Sequence, residues 1–172
     1  MNQKALKLMS HLMGRSETKL GLKAIDRLFK FGIPFNSPHK IKMRSISNEL
    51  VAMELPLIRA NKNHLGTMHA CAIATVGEFC AGVLLIKNLD PSKYRVVMTN
   101  LNVTYLKHGA SDLGARCEQA ATTLSQAREQ LQNSASTEIT LETNIFNKTD
   151  EICAKVVTTW QLKNWNKVKK HR

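Results

Sequence analysis

The chain has 172 residues, a formal net charge of +12, 43% hydrophobic residues, eight glycines and four prolines. This length suffices for one domain with a substantial core, and the composition excludes a disordered or fibrous protein. The cysteines show neither a Cys-x-x-Cys pair nor histidines at metal-ligand spacing, so we expect no metal site. Their scatter fits a reducing, cytoplasmic location; they are Cys71, Cys80, Cys117 and Cys153.

The positive charge lies at the two ends of the chain. Residues 1–50 carry ten basic and three acidic residues, and residues 163–172 carry five basic and no acidic ones, whereas residues 51–162 are neutral. Basic ends can attract nucleic acid or a membrane surface. The chain lacks an aromatic stacking array and a recognition-helix motif, so we expect no specific nucleic-acid partner.

Two amphipathic helices are predicted at the N-terminus, over residues 3–13 and 17–31. Ser16 is the expected N-cap of the second helix, and Gly32-Ile33-Pro34 ends it. Their basic outer faces are compatible with packing on the domain or with lying on a membrane, and packing is the default. We assign residues 1–37 to an N-terminal helical extension.

A period of two begins at His39 and predicts strands. Ile41 and Met43 alternate with basic residues, and a second strand over 51–58 contains Pro56, which favours an edge or a bulge. After residue 90 the pattern predicts a short helix over 122–132 and a hairpin loop over 147–150. The remaining predicted strands are 94–107, 112–119, 137–146 and 151–162.

Between these strands, residues 70–86 form a helix-forming run in which Glu78 is the only charged residue. A helix that is apolar on every side is expected to be buried on every side. A carboxylate there is costly unless it is paired or used, which makes Glu78 the strongest functional candidate. The run is nearly long enough to span a bilayer. A central glutamate costs ~2.5 kcal/mol or more in lipid, so we predict no transmembrane segment.

One apolar helix among six mostly antiparallel strands indicates an α+β fold in which the sheet curls around the helix. Small side chains in the helix would let the strands approach closely. These small residues are Ala70, Ala72, Ala74, Gly77, Ala81 and Gly82.

The residues around the start of this helix carry a family resemblance. Asn63 to His69 reads Asn-His-Leu-Gly-Thr-Met-His, and Glu78 follows His69 by nine positions. This resembles the hotdog-fold thioesterase superfamily, in an uncharacterised subfamily related to the phenylacetate-pathway and 4-hydroxybenzoyl-CoA thioesterases. Those enzymes show Asn-x-x-Gly-x-x-His-Gly-Gly, then an acidic residue nine positions after the histidine. Residues 105–110 resemble the family's strand end, where an Arg-Pro pair is commoner.

The resemblance covers roughly residues 38–162, so we assign residues 38–165 to a hotdog domain and 166–172 to a basic C-terminal tail. It implies hydrolysis of an acyl-CoA or acyl-carrier thioester at a site between the subunits of a homodimer or homotetramer. Coenzyme A would enter only as part of the substrate, and no separate cofactor is implied.

The family mechanism carries over to two groups. A backbone N–H after the histidine polarises the thioester carbonyl, which here would be the N–H of Ala70 or Cys71, and the carboxylate would be Glu78. Ala70 and Cys71 replace the family's Gly-Gly; both keep their N–H groups, but their side chains limit the approach of an acyl group. Cys71 and Glu78 are ~10 Å apart along a helix, so a second copy must supply one of the two groups.

Each candidate also has a plainer interpretation. Glu78 is alternatively a structural carboxylate, and His69 either contacts substrate or merely caps the helix. Asn63 either positions water or substrate, or builds a turn. Thr75 either bonds Glu78 or a water, or bonds back to its own helix. Cys71 is an alternative nucleophile, although no partner base is identifiable.

Gly66, Lys107 and His108 are the candidate substrate-binding residues. With Arg59 and Lys62, the last two could meet the phosphates of coenzyme A, or they are simply solvated loop charges. For the chain as a whole, the alternative to a thioesterase is a non-catalytic module that binds or senses acyl thioesters. A nucleic-acid or membrane binder acting through the basic ends is the third interpretation.

Overall fold

The computed structural model of the chain describes residues 3–167. The predicted basic tail, 166–172, therefore lies mostly outside the described residues. Two N-terminal helices lead into two strands, a long central helix, two strands, a short helix and a final pair of strands. In order, the elements are α1 (Gln3–Gly14), α2 (Lys19–Gly32), β1 (Lys42–Ile46), β2 (Leu50–Leu55), α3 (Ala70–Asn88), β3 (Tyr94–Tyr105), β4 (Leu113–Glu118), α4 (Ala121–Asn133), β5 (Ser136–Phe146) and β6 (Ile152–Asn164).

The six strands form one antiparallel sheet in the order β1-β2-β4-β5-β6-β3. α3 packs against β2, β4, β5, β6 and β3, because the sheet curls around it. The predicted α+β hotdog fold, with a curled sheet around one long helix, is confirmed.

Glycines set the distance between α3 and the sheet. A Cβ at Gly77 would lie 2.5 Å from Cγ2 of Val156 on β6, and one at Gly82 would lie 3.1 Å from the ring of Trp160. Thr143 on β5 donates its hydroxyl to the Gly77 carbonyl at 3.0 Å. The sheet therefore closes on the helix backbone itself, as the small residues predicted.

α3 is not buried on every side, which corrects the sequence-based expectation. Residues 79–85 are all buried, but Ala70 and Cys71 are exposed, and Ala74, Thr75 and Glu78 are half-buried. The sequence pattern did not reveal this, because Glu78 is the only charged residue of the run and no continuous polar stripe marks the uncovered face. By length and composition α3 could cross a membrane, yet 61% of its most apolar stretch is buried within the domain.

The N-terminal helices pack against the second half of α3. Phe29 of α2 meets Phe79 of α3 edge-on, with ring centroids 5.2 Å apart, and Lys87 donates to the Met13 carbonyl at 3.0 Å. The predicted cap of α2 was wrong: Thr18, not Ser16, accepts the hydrogen bond from the Gly21 N–H, at 3.0 Å. Ser16 is instead buried and donates to the carbonyl of Ile46.

The two edges of the sheet differ. β1 is covered by α2, whereas β3 pairs only with β6 and leaves its other side open. Val97, Leu101 and Tyr105 of β3 are 37%, 39% and 49% exposed. Pro56, predicted to mark an edge or bulge, follows the end of β2, which is an interior strand. Since Pro56 lies beyond the strand, it removes no hydrogen bond from the ladder.

Candidate active site at the start of the central helix

A buried asparagine fixes where α3 begins. The Asn61 side-chain amide donates to the carbonyls of His39 and Pro56, at 2.8 Å each, and its Oδ1 lies 2.7 Å from Nδ1 of His39. The Asn61 carbonyl accepts the His69 N–H at 2.7 Å. These bonds satisfy a fully buried polar side chain and hold the loop against the helix start. This role of Asn61 was not predicted from the sequence, because His39, which contributes two of its contacts, lies 22 residues away along the chain.

Asn63 builds the turn that precedes the helix. Its Oδ1 accepts the N–H groups of Leu65 and Thr67, at 2.9 and 3.2 Å, and its Nδ2 donates to the Thr67 hydroxyl at 2.9 Å. Gly66 sits in the same turn at φ 77°, a conformation that glycine adopts without strain. The side-chain oxygen and amide of Asn63 are thus engaged in the turn, the plainer of its two interpretations.

His69 caps α3 and determines which amide remains open. Its Nδ1 accepts the Cys71 N–H at 3.0 Å, which satisfies one of the free donors of the first turn. Within the described part of the chain, the Ala70 N–H donates to no acceptor. Of the two predicted oxyanion donors, Ala70 is therefore the open one, and Cys71 is occupied by the histidine ring.

Tyr105 joins the end of β3 to this site. Its hydroxyl donates to the carbonyl of Ala70 at 3.1 Å. Burial, with a smaller contribution from nearby Cys71, raises the pKa of the phenol. Tyr105 was noticed in the sequence only as part of the strand end. Only the tertiary pairing of β3 with the sheet places it beside the helix.

Glu78 is a half-buried carboxylate with no partner. Among the described residues it makes no hydrogen bond and no ion pair, and burial raises the pKa of its carboxyl group. Thr75 does not bond it, since its hydroxyl donates to the Cys71 carbonyl at 2.8 Å. Glu78 lies eight residues after Ala70, or ~12 Å along the helix axis. One copy therefore cannot bring both groups to the same carbon atom.

Lys107 and His108 follow β3 and lie at the same end of the molecule. The Gly109 carbonyl accepts the Met68 N–H at 2.8 Å, which places this segment beside the helix start. Lys107 is exposed and pairs with Glu151 at 2.8 Å, and His108, Arg59 and Lys62 are exposed. Within the described residues, none of these four side chains forms a hydrogen bond or an ion pair with Glu78.

The cysteines differ in their access to solvent, and Cys71 as an alternative nucleophile stays a prediction. Cys71 is exposed at the helix start, while Cys80, Cys117 and Cys153 are buried. Burial raises the pKa of the three buried thiols, that of Cys117 to about 11. The nearest histidine to Cys71, His69, uses its Nδ1 on the backbone. Within residues 3–167 no cluster of three His, Cys, Asp or Glu side chains could hold a metal ion.

A family model matches most of the chain. It is described as "Domain of unknown function (DUF4442)" and covers residues 21–162. Its first residue lies inside α2, so the match includes much of the predicted N-terminal extension. A comparison with curated protein sequences gave no match.

Solved structures share the fold. A Pseudomonas aeruginosa protein of unknown function, labelled a probable thioesterase, superposes with a TM-score of 0.77 at 19% identity over 83% of this chain and 95% of that one. A Haemophilus influenzae thioesterase gives 0.70 at 14% identity over 91% and 98%. A mutant thioesterase from Pseudomonas aeruginosa gives 0.68 at 13% identity over 83% and 94%. At these identities the likeness establishes the fold, and the phenylacetate and 4-hydroxybenzoyl-CoA branch stays a prediction.

Proposed function

The chain belongs to the DUF4442 family, and on that premise we propose that it hydrolyses an acyl thioester. The observation that carries the proposal is the uncovered face of α3, where the open Ala70 N–H and the unpartnered Glu78 carboxylate lie on one side. At 3.6 residues per turn, Ala70, Ala74 and Glu78 fall within one narrow arc of the helix. Thioesterases among the solved structures with this fold support the same reaction class.

The site is completed by a second copy of the chain. Two α3 helices packed antiparallel across their uncovered faces would place the Ala70 N–H of one copy near Glu78 of the other. β3 supports this arrangement, because its outer edge presents unpaired backbone groups and exposed apolar side chains. A homodimer joined along β3 would continue the sheet and cover Val97 and Leu101. Two such dimers would make the homotetramer that the sequence also allows.

The chemistry follows from these two groups. The thioester carbonyl oxygen accepts the Ala70 N–H at the positive end of α3, where charge develops as the tetrahedral intermediate forms. The ionised Glu78 of the second copy takes a proton from water, and the resulting hydroxide attacks the carbonyl carbon. The carbon–sulfur bond then breaks, and the thiolate leaves and takes up the proton. The raised pKa makes Glu78 a stronger base than an ordinary carboxylate.

The acyl-thioester substrate is an acyl-CoA or an acyl group on a carrier protein, and both carry the thiol on a pantetheine arm whose other end is a phosphate. Lys107, His108 and Arg59 are the exposed side chains near the start of α3 that would meet this phosphate. Coenzyme A is part of the substrate in this scheme, and the reaction requires no other cofactor. The reducing interior of the cell, the cytoplasm, fits four unpaired cysteines.

The test is release of free thiol from a panel of acyl-CoA esters, short, long and aromatic, by wild type and Glu78→Ala. We expect release from at least one ester, lowered ~10²- to 10⁴-fold by the substitution as the general base is lost. Thr75→Ala is the matched control, since Thr75 neighbours Glu78 but bonds its own helix. Turnover that is equal in wild type and Glu78→Ala would overturn the assignment of Glu78.

Mixed dimers test whether the site is shared between copies. Ala70→Pro removes the open N–H at the first helical position, where proline is well tolerated, and His69 already has the extended ψ of 138° that a following proline needs. Ala70→Gly keeps the N–H and is the control. Glu78→Ala and Ala70→Pro should each be inactive alone. Mixing their denatured chains and refolding should restore activity, because each mixed dimer holds one intact site.

A second candidate function is a non-catalytic module that binds acyl thioesters. It is favoured by one observation: the His69 ring occupies the Cys71 N–H, which leaves a single amide for the oxyanion. Acyl-CoA binding by calorimetry without thiol release, in a folded dimer, would select this function over hydrolysis.

A further inference from the structure

The solvent-facing side of α2 combines cations with protruding apolar side chains. At 3.6 residues per turn its members share one third of the helix circumference. Leu20 is 82% exposed and Phe31 is 86% exposed, values that place both side chains almost wholly in solvent. We call this surface the α2 outer face; it comprises Lys19, Leu20, Lys23, Arg27, Lys30 and Phe31.

The apolar members of this face do not belong to the core. α2 buries Gly21, Ile25 and Phe29 on its opposite side, against α1, α3 and β1. Leu20 and Phe31 are on the far side of the helix from these residues. Phe35 lies in the short segment that follows α2, and its side chain is 71% exposed. Two large apolar side chains, Leu20 and Phe31, therefore stand in solvent on the α2 outer face.

The cations of this face are largely uncompensated. Lys30 pairs with Asp26 at 2.7 Å. In the described part of the chain, Lys19, Lys23 and Arg27 form no ion pair with a carboxylate. A depression between α2 and β1 adds Lys42 and Arg44 to the same side of the molecule, although both pair with Glu54. The surface is thus strongly positive around Leu20 and Phe31.

We propose that the α2 outer face docks the protein on an anionic phospholipid surface. Lys19, Lys23 and Arg27 would contact the lipid headgroups, while Leu20 and Phe31 would enter the boundary between headgroups and acyl chains. Basic residues with Leu and Phe on the exposed side of one helix are the composition expected of interfacial binding. The protein would lie on the membrane, not span it, and α3 would stay in the core.

One observation favours lipid over a nucleic acid, and another shows that the α2 outer face is accessible in the proposed dimer. A nucleic acid would satisfy the cations but would give no apolar environment to Leu20 and Phe31, whose side chains are more than four-fifths exposed. In addition, α2 covers the β1 edge of the sheet, whereas the proposed dimer contact uses the opposite edge, β3. A second copy bound along β3 would therefore leave the α2 outer face free in each subunit.

The test is co-sedimentation of the full-length protein with phosphatidylcholine vesicles, with and without phosphatidylglycerol. We expect binding only to the vesicles that contain phosphatidylglycerol, and weaker binding as added salt screens the headgroups. Lys23→Gln/Arg27→Gln should lower the partition coefficient roughly 30-fold, given the usual contribution of one basic residue at such a surface. Leu20→Ser/Phe31→Ser should lower it further at high salt, where the apolar contribution dominates.

Matched variants control for non-specific adsorption of the protein to vesicles. Arg128→Gln/Lys148→Gln removes the same charge from two other surfaces, and Leu65→Ser/Leu106→Ser removes two exposed leucines elsewhere. Both should bind vesicles like the wild type. All substituted positions are exposed, so circular dichroism should show unchanged folding. Failure to bind phosphatidylglycerol vesicles, or equal loss in the matched variants, would overturn the proposal; the second result would mean charge attraction without a defined face.

Discussion

The two halves of α3 are both largely apolar in sequence but differ in their surroundings. In the second half, residues 79–85 are all buried beneath the sheet and the N-terminal helices. In the first half, the sheet covers one side, and the opposite side leaves Ala70, Ala74 and Glu78 accessible. The hydrophobicity of a helix therefore predicts that its surface will be covered, but not whether the same chain or a second copy covers it.

The difference comes from what lies over each half. Phe29 packs on Phe79 and Lys87 binds the Met13 carbonyl, so α1 and α2 close the second half. Glu78 is only half-buried, and within the described residues its carboxylate remains unpaired. In a single copy, one half of α3 is fully packed and stabilises the fold. The other half is partly exposed and carries the candidate catalytic groups. Substitutions in the two halves should separate stability from activity.

The largest effect on stability is expected in the closed half. Leu84 is fully buried, and Leu84→Ala should lower the free energy of unfolding by about 2–5 kcal/mol through lost burial and a residual cavity. Chemical denaturation measures this loss. Thiol release per folded molecule should not change, and a selective loss of turnover would show that the two halves are not separable.

A smaller loss is expected at the boundary between the halves. Gly77→Ala would place a methyl group against Val156 and should cost about 1–3 kcal/mol by overpacking. Val156→Ala should relieve the clash, so the double variant should be more stable than the sum of the single changes predicts. Thermal melting of the wild type, the two single variants and the double variant gives the four stabilities of this double-mutant cycle. Simple additivity would contradict the close contact of α3 with β6.

In the open half the expected effect depends on pH. The pKa of Glu78 is higher in the folded chain than its ordinary value of 4.5, so the folded state holds the proton more tightly than the unfolded state. The resulting stabilisation is complete below the ordinary value and is lost as the pH rises through the raised pKa. Glu78→Gln should therefore stabilise the protein at neutral pH and flatten this dependence. Urea melts of both proteins across the acidic range test it.

The smallest effect is expected at the strand that borders the open half. Tyr105→Phe removes the hydrogen bond to the Ala70 carbonyl and should cost about 0.5–1 kcal/mol, since the bond is exposed. The rate of thiol release should fall even though the free energy of unfolding changes little, because the start of α3 is less firmly positioned. Equal KM and kcat in the two proteins would show that Tyr105 does not position Ala70.

Much of the fold was predictable because period and turn chemistry are local. The strands were placed within a few residues, and the loop of residues 147–150 follows from its turn residues. Glu78 stood out as the single charge in the apolar run. Three features were not accessible, since each depends on groups distant in sequence or on competition between neighbours. These are the uncovered face of α3, the tie between Tyr105 and Ala70, and the capture of the Cys71 N–H by His69.

The order of strands in the sheet has a consequence for how the chain folds. Leu55 of β2 pairs with Leu113 of β4, and Tyr94 of β3 pairs with Asn164 of β6, so two of the strand pairings join segments that are far apart along the chain. Such non-local pairing requires large loops to close, at a cost in entropy, before the strands gain stabilising contacts. It is typical of proteins that fold slowly, in milliseconds to seconds. β5 and β6, joined by a tight turn, can pair first. β3 can pair only after β6 has been synthesised. Until then β3 and its exposed apolar side chains have no partner strand among the described residues.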